Sequence, residues 1–402
     1  MNVYKSIAID LGTTKFCLAA LNHSNGVQEI NTVSVSAAGF RKGMLASFTD
    51  ACNQIASLVE LAENELTTSI SKVVVGISGS HLSSRVVKVK AKLMTEEIQA
   101  HHLDGLEQQV KCLGADGSRE ILHVIPISFQ VDQREWQSDP LNLTADEITG
   151  KYFVIEGDRN YLTDIIRLLN HNGLEVTRLI AEPLASSIAV CPSERRNLGA
   201  IIADIGGGTT DGIIYLDNIP AKLFSINIGG ESYTRDLAIG LGAADSEAER
   251  MKHHLCDTDL PVPFFESDNK KLAVSSVEIQ RIIDARSTDL ATLLYDIVAP
   301  YLPYARGGLI LTGGGSSTSN VCSVLSEKLG TSVKIDTPKV PSELATKVDW
   351  LSEEINVSSK HATVIGLIFL DVLEEIKRSQ KIYSSFLPKQ LHTLASWLRE
   401  MI

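Results

Sequence analysis

A short motif that occurs twice constrains the fold of this chain more than any other feature of its sequence. Each copy is an apolar run, then Asp, Gly and a pair of Thr residues, and then a second apolar run. The copies are IAIDLGTTKFCLAAL at residues 7–21 and AIIADIGGGTTDGIIYL at residues 200–216. Two apolar runs around a glycine-containing turn predict a β-hairpin. Two such hairpins in one chain predict an α/β fold that is built from two similar halves.

Glycine-rich turns of this kind are suited to binding phosphate. Glycine allows close approach of the backbone, and adjacent N–H groups in a turn bind anions. One DxGTT motif alone fits an ordinary hairpin turn equally well, but two copies and a third glycine loop at residues 313–315 favour a phosphate site. The candidate phosphate ligands are Gly12, Thr13, Thr14, the positively charged Lys15, Gly206, Gly207, Gly208, Thr209 and Thr210.

The aspartates of the two motifs are candidates for holding a metal ion. Asp10 and Asp204 each stand at the end of an apolar run that predicts a buried strand. Mg²⁺ keeps much of its hydration shell in proteins, so two carboxylates can hold it through water. The sequence therefore predicts a magnesium site at these two residues. It contains no GxxxxGK[ST] motif, which excludes a P-loop enzyme.

Composition narrows the class of protein. A chain of 402 residues predicts two to four domains, and a net charge of −12 argues against a nucleic-acid partner. Its six cysteines form no CxxC pair, which argues against structural zinc and a disulfide framework. We find no signal peptide and no apolar run of membrane-spanning length. These features predict a cytoplasmic location.

Two segments of the first half have a clear local pattern. Residues 47–66 predict a helix, with Phe48, Ala51, Ile55, Leu58 and Leu61 near one face. Residues 83–162 are richer in charge and contain short β-type runs such as RVVKVKAKLM and ILHVIPISFQV. This second segment predicts a small α+β insertion.

Further motifs carry a resemblance to a known family. They are RKGM, ISGSHL, LHVIPISFQVD with a following DPL, AEPLASSIAV, DIGGGTTD, IGGESYTRDLA, AERMK, IIDAR, LTGGGS and HATVIGL. DIGGGTTD and LTGGG are typical of the actin-like ATPase superfamily. The VIPISF segment and the C-terminal tail resemble the FtsA family of bacterial cell-division proteins, and the resemblance runs nearly end to end.

The resemblance implies an actin-like fold, in which two RNase-H-like lobes close around ATP. It also implies an inserted, SHS2-like α+β subdomain and a C-terminal amphipathic helix. The implied boundaries are 1–82 with 163–195 and 362–378 for the first lobe (1A), 83–162 for the insert (1C), 196–230 with 303–361 for the second lobe (2A), 231–302 for subdomain 2B, and 379–402 for a linker and membrane-targeting helix.

The resemblance also assigns roles to residues of the cleft. Asp10 and Asp204 organise Mg²⁺, and the Gly-Thr-Thr turns hold the phosphates of ATP. Glu182 matches an acid that positions the attacking water in relatives, although a Glu before Pro also suits a helix cap or a surface contact. By the same resemblance, Gly229 and Gly230 lie near the phosphates or ribose, Glu249 and Lys252 lie near the ribose and adenine, and Gly313, Gly314 and Gly315 lie beside the adenosine. The implied ATPase activity is weak or absent, with ATP closing the lobes and favouring a polymer.

The last residues predict an amphipathic helix after Pro388. Its apolar positions are Leu391, Leu394, Trp397, Leu398, Met401 and Ile402, and a basic run at residues 377–381 precedes them. Such a helix can lie in a membrane interface with Trp at the depth of the headgroups. The alternative is a terminal helix that docks on the core. The basic flank and the resemblance favour an anionic membrane surface.

Together these features predict a division protein that binds ATP and polymerises through the insert at the cytoplasmic face of the membrane. By resemblance it anchors FtsZ filaments at the division site and recruits other division proteins, and it binds no nucleic acid. One alternative is a scaffold for pilus assembly like PilM, which a partner holds at the membrane. Another is a small-molecule kinase of the same fold, for which the sequence offers no substrate motif.

Overall fold

The structure, a computed structural model, describes residues 4–24, 27–113, 117–254, 262–265, 271–345 and 357–386. The predicted membrane contacts, which all follow residue 390, lie outside these ranges. Within the described ranges, no helix combines the length and the apolar character that crossing a bilayer requires.

The first motif forms the hairpin that the sequence predicts. Strands β1 (Tyr4–Leu11), β2 (Lys15–Ser24) and β3 (Val27–Ser36) pair in an antiparallel meander, with Asp10 opposite Cys17. The chain continues through β4 (Phe40–Arg41), β5 (Met44–Leu45), helix α1 (Phe48–Leu66) and β6 (Lys72–Ile77). Strand β6 pairs in parallel with β1, which places the ends of both strands at the same edge of the sheet.

Helix α1 occupies the predicted segment, but two residues of its predicted face are exposed. Its buried residues are Ala51, Ile55, Leu58, Ala62 and Leu66. Leu61 is 39% exposed because Ala62 and Leu66 continue the buried stripe and leave Leu61 on its flank. Phe48 is 37% exposed because it lies in the first turn, where its ring contacts His171 edge-on.

The predicted insertion is a compact α+β unit. It contains β7 (Ser83–Glu97), α2 (Ala100–Cys112), β8 (Arg119–Val131) and β9 (Thr144–Asp158), and its three strands form an antiparallel sheet in the order β7-β9-β8. A separate apolar cluster, which includes Leu106, Val110 and Phe129, fills the space between this sheet and α2. The unit therefore has a core of its own.

The first lobe resumes where the insert ends. Helix α3 (Arg159–His171) is followed by β10 (Glu175–Ala181), α4 (Glu182–Val190) and the short α5 (Ser193–Asn197). Strand β10 pairs in parallel with β6 and completes a five-stranded sheet in the order β10-β6-β1-β2-β3.

The second half repeats this topology. Its elements are β11 (Ala200–Ile205), β12 (Thr210–Leu216), β13 (Ile219–Ile226), α6 (Gly230–Leu241), α7 (Asp245–His254), β14 (Val262–Phe265), β15 (Lys271–Val274), α8 (Ser276–Val298), β16 (Leu309–Thr312), α9 (Val321–Leu329), β17 (Val333–Ile335) and α10 (Ser342–Ala345). The last helix, α11 (Ala362–Phe386), returns to the first sheet. The sheet order β17-β16-β11-β12-β13 matches that of the first sheet strand for strand. The predicted α/β fold of two similar halves is confirmed.

Two helices pack against each other at the junction of the lobes. Helix α4 packs against strands of both sheets, and α11 packs against α4 and the first sheet. Their closest approach is at Gly366, where an added Cβ would lie 1.9 Å from the carbonyl oxygen of Ala185. Only glycine allows the two backbones to come so close.

We expect Gly366→Ala to destabilise the fold. Overpacking against a backbone atom costs about 1–3 kcal/mol, which exceeds the ~1 kcal/mol that alanine gains over glycine in a helix. The measurement is the midpoint of urea unfolding. Gly105→Ala in α2 is the matched control, since nothing lies within 4 Å of a Cβ there, and we expect it to be neutral or slightly stabilising. Equal midpoints for the two variants would contradict this account of the helix contact.

Candidate functional site

The three glycine loops meet in one cavity between the two lobes. Its volume is about 1070 Å³. Most of the residues predicted from the sequence line it, namely Asp10, Gly12, Thr13, Thr14, Lys15, Glu182, Asp204, Gly206, Gly207, Gly208, Thr209, Gly230, Glu249, Lys252, Gly313, Gly314 and Gly315. Because these residues come from both halves of the chain, the cavity exists only when the lobes are assembled.

The two Gly-Thr-Thr turns touch each other across the cavity. A Cβ on Gly207 would lie 2.4 Å from Cγ2 of Thr14, and a Cβ on Gly208 would lie 2.6 Å from Oγ1 of Thr13. Either atom would force the turns apart. The third loop is equally tight, because Gly313 has φ +82° and its Cβ would lie 2.1 Å from Oδ1 of Asp204.

Two predicted residues, Thr210 and Gly229, lie behind the lining rather than in it. The hydroxyl of Thr210 is buried and donates to the carbonyl of Ile228 at 2.7 Å. Gly229 precedes α6, and its Cβ would lie 2.5 Å from the carbonyl oxygen of Gly207. Both residues therefore support the second turn from behind, and neither lines the cavity.

Helix α6 begins directly against the second turn. The backbone N–H of Gly230 donates to the carbonyl of Gly206, and that of Glu231 donates to the carbonyl of Gly207, each at 2.8 Å. Within the turn, the N–H of Gly206 donates to the carbonyl of Thr209 at 2.9 Å. These bonds fix the conformation of the turn.

Four carboxylates surround the floor of the cavity. Burial raises the pKa of Asp10 to about 6, against the opposing effect of Lys15. Burial also raises the pKa of Asp204 to about 7, although the hydroxyl of Thr363 donates to its Oδ2 at 2.8 Å. Burial raises the pKa of Glu182 well above its ordinary value and that of Asp211 as well. Burial is the largest cause in each case, and for Glu182 and Asp204 neighbouring acids add to it, so negative charge is disfavoured at this floor.

The carboxylate of Glu182 occupies a space that a glycine leaves open. A Cβ on Gly76 in β6 would lie 2.7 Å from Oε1 of Glu182. The side chain of Ser78 makes a hydrogen bond to the same carboxylate. Glu182 is the first residue of α4, so a helix that contacts both sheets places an acid at the floor of the cavity.

A lysine of the first turn reaches across the cavity to the start of α11. The Nζ atom of Lys15 donates to the carbonyl of Lys360 at 2.7 Å. A 3-10 turn at Ser359–His361 presents that carbonyl, and the N–H of Gly313 donates to Ser359 in the same turn at 3.2 Å. The first turn, the third glycine loop and the start of α11 are therefore tied together.

A second polar cluster lies at the α6–α7 side of the cavity. The Nζ atom of Lys252 donates to Oε2 of Glu249 at 2.7 Å and to the hydroxyl of Thr234 at 2.9 Å. The hydroxyl of Thr234 in turn donates to the same carboxylate oxygen of Glu249. The predicted pair Glu249 and Lys252 is thus held in place, at some distance from the four acids.

Several residues that line the cavity were not among the site residues predicted from the sequence. They include Gly43, Ser78, Asp211, Glu231, Thr234, Arg235, His253, Thr318, Ser359, Lys360 and Thr363. Asp211 lies opposite Asp204 in the hairpin of β11 and β12. Seven of these residues fall within motifs that carry the family resemblance, but nothing in those motifs marks them as lining residues: Gly43, Ser78, Asp211, Glu231, Thr234, Arg235 and Thr363. His253, Thr318, Ser359 and Lys360 lie outside those motifs.

Comparison with known proteins places the chain among its relatives. The family model "Cell division protein FtsA" matches residues 201–366, and the model "SHS2 domain inserted in FTSA" matches residues 79–156. Cell division protein FtsA of Bacillus subtilis is 26% identical over 347 residues, which cover 83% of this chain and 78% of the relative.

Solved structures share the architecture at lower identity. The PilM-PilN type IV pilus biogenesis complex aligns with a TM-score of 0.61 at 14% identity, covering 92% of this chain and 98% of that one. MreB 5 of Spiroplasma citri bound to AMPPNP aligns with a TM-score of 0.55 at 12% identity, covering 94% and 98%. These two likenesses concern the fold alone. With both family models matching, the chain has the actin-like fold and belongs to the FtsA family of cell division proteins.

Proposed function

We propose that the chain binds ATP with Mg²⁺ in the cavity between its lobes and acts in cell division. The observation that carries this proposal is the meeting of three glycine loops and four carboxylates in one cavity of a chain of this family. A polyphosphate needs close backbone donors, and the glycines of these turns leave the backbone without side chains where the loops meet.

The residues present fit both ATP and Mg²⁺. Thr13, Thr14 and Lys15 on one side, with Gly207 and Thr209 on the other, would hold the phosphates. Asp10 and Asp204 would hold the cation through water, because Mg²⁺ retains several waters in such sites. Bound Mg²⁺ would supply the positive charge that the buried acids lack. Glu249 and Lys252 would contact the ribose and base, with the loop of residues 313–315 beside them.

Glu182 is our candidate for positioning water. Ser78 orients its carboxylate, and Gly76 leaves room for it beside the phosphate turns. A carboxylate in this position can orient water by accepting a hydrogen bond. Because Glu182 is the first residue of α4, its position depends on how the two lobes are arranged around that helix. We therefore expect slow hydrolysis whose rate depends on lobe closure.

We further propose that the protein assembles on the cytoplasmic face of the membrane, at the division site. The insert carries contacts between copies, the tail binds anionic lipid, and the assembly anchors FtsZ filaments and recruits other division proteins. The FtsA family matches favour this function over a pilus scaffold like PilM, for which the likeness is to the fold alone. No observation favours a small-molecule kinase.

We expect Gly207→Ala to weaken ATP binding at least tenfold. The new methyl group would meet Thr14 and separate the two turns, so that donors from both sides no longer reach one phosphate chain. The measurement is titration calorimetry with ATP and Mg²⁺. Gly105→Ala, on the insert, is the control with the same chemical change. Unaltered affinity in Gly207→Ala would refute phosphate binding between the turns.

We expect Asp204→Asn to stabilise the nucleotide-free protein at pH 8 but not at pH 4. The pKa of Asp204 is about 7 in the folded state and about 3.8 in the unfolded state, so wild-type stability falls as pH rises between these values. Asparagine cannot ionise, and the expected gain at pH 8 is about 1–3 kcal/mol after allowing for cleft solvent. The measurement is urea unfolding without nucleotide.

A second aspartate provides the control for that experiment. Burial raises the pKa of Asp336, but hydrogen bonds from Lys334 and Lys339 outweigh burial and hold the pKa below its ordinary value. Asp336→Asn should therefore lower stability at pH 8. If both variants shift the free energy of unfolding in the same direction at pH 8, burial in the cavity does not disfavour the ionised form of Asp204.

We expect the tail to bind membranes through its apolar face. Sedimentation with anionic liposomes should recover the full chain, and a truncation ending at Ser379 should stay in the supernatant. In the full chain, Leu394→Asp should abolish binding, because it places a charge among apolar side chains. Ser396→Asp adds the same charge on the predicted polar face and should bind nearly as well. Equal recovery of all four proteins would rule out the tail as the anchor.

A further inference from the structure

The β4–β5 hairpin, residues 40–45, touches both phosphate turns. The backbone N–H of Gly43 donates to Oγ1 of Thr13 in the first turn at 3.0 Å. On the other side, a Cβ on Gly208 in the second turn would lie 2.9 Å from Cα of Lys42. The tip of the hairpin is thus wedged against the place where the two turns meet, and it must move when their separation changes.

The outer side of this hairpin is held by a tyrosine. The hydroxyl of Tyr161 donates to the carbonyl of Gly43 at 3.0 Å and also bonds to the backbone of Leu45. Tyr161 lies in the first turn of α3, directly after the last strand of the insert, and its N–H donates to the side chain of Asp158 at 2.9 Å. One hydroxyl therefore joins the hairpin to the end of the insert.

The ring of Tyr161 also contacts His81 at the start of the insert. The two ring centroids lie 4.2 Å apart. The carbonyl of His81 accepts from Nη2 of Arg119 at 2.9 Å, and its Nδ1 accepts from the N–H of Asp158 at 3.4 Å. The opposite ring nitrogen, Nε2, lies 3.1 Å from the carbonyl of Ser78, whose side chain bonds to Glu182.

The base of the insert is stiff enough to pass on a displacement. Glu156, only 7% exposed, accepts from Nε of Arg119 and Nε of Arg85, each at 3.0 Å. Arg119 donates further to the hydroxyl of Ser83 at 2.7 Å. These bonds join the start of β7, the start of β8 and the end of β9, so the three strands move as one body at this end.

The insert is also attached to both lobes. Ser84 accepts the N–H of Leu223 in the second lobe at 3.1 Å. His123 accepts the N–H of Ala181, next to Glu182 in the first lobe, at 3.0 Å. Since closure changes the distance between these two attachments, the insert cannot keep its position relative to both lobes.

We propose that Tyr161 is a positioning residue that couples the phosphate turns to the insert. The β4–β5 hairpin senses the separation of the turns, the Tyr161 hydroxyl carries that displacement to His81, and the stiff base reorients the insert. This inference rests on the proposed binding of ATP in the cavity. The proposal assigns the coupling to the hydroxyl of Tyr161. Removing this hydroxyl leaves the residues of the two phosphate turns unchanged.

The test is hydrogen exchange followed by mass spectrometry on the full chain, with and without ATP and Mg²⁺. In the wild type, ATP should slow exchange at residues 11–15 and 205–210, and also about fivefold or more at the insert base, residues 83–86 and 153–158, as expected for coupling between sites. Tyr161→Phe should keep the first effect and reduce the second to less than about twofold.

A second buried tyrosine gives the matched control. The hydroxyl of Tyr233 lies 3.3 Å from that of Ser287, away from the hairpin, so Tyr233→Phe should behave like the wild type. A Tyr161→Phe variant that retains the full effect at the insert would overturn the proposal, as would a wild type in which ATP protects the turns alone. A wild type in which ATP protects neither region would instead refute ATP binding itself.

Discussion

The structure depends on the contact between two turns, one of which has no side chains where they meet. Gly207 and Gly208 lie against Thr14 and Thr13, and a methyl group at either glycine would prevent the contact. The turns come from opposite lobes, so this contact fixes how closely the lobes approach. The acids on the floor of the cavity and the third glycine loop line the same cavity beside this contact.

Helix α4 places an acid next to the contact between the two turns. Helix α4 is buried over nearly its whole length between the two sheets, and its first residue is Glu182. The N-terminus of a helix that contacts both sheets therefore places a carboxylate among three others. Burial raises the pKa of all four acids, so their ionised forms are disfavoured there. A cation bound among them would favour the ionised forms, and it would do so where the two lobes meet.

Much of the architecture was predictable because it follows from local pattern. The doubled motif predicted the paired hairpins, and the charged β-type runs predicted the insert. Helix α1 was predicted in place, but its face was partly wrong, since a stripe of Phe48 and Leu61 could not be distinguished from one that continues through Ala62 and Leu66.

The site was harder to predict than the fold. Glycine loops carry their own signal, which is why most of the residues predicted for the site do line the cavity. Thr210 and Gly229 carry the same signal but face away from the cavity, and sequence spacing alone does not distinguish the two sides of a turn. The space that Gly76 leaves for Glu182 depends on a parallel pairing of β6 and β10, and no pattern within either segment records it.

Helix α11 leads away from the cavity. It begins next to Thr363, which donates to Asp204 in the cavity, and it ends at Phe386. Its 25 residues span about 37 Å at 1.5 Å per residue. Phe386 therefore lies far from the cavity, at the other end of this helix. A contact at that end of the helix does not compete for space with a ligand in the cavity.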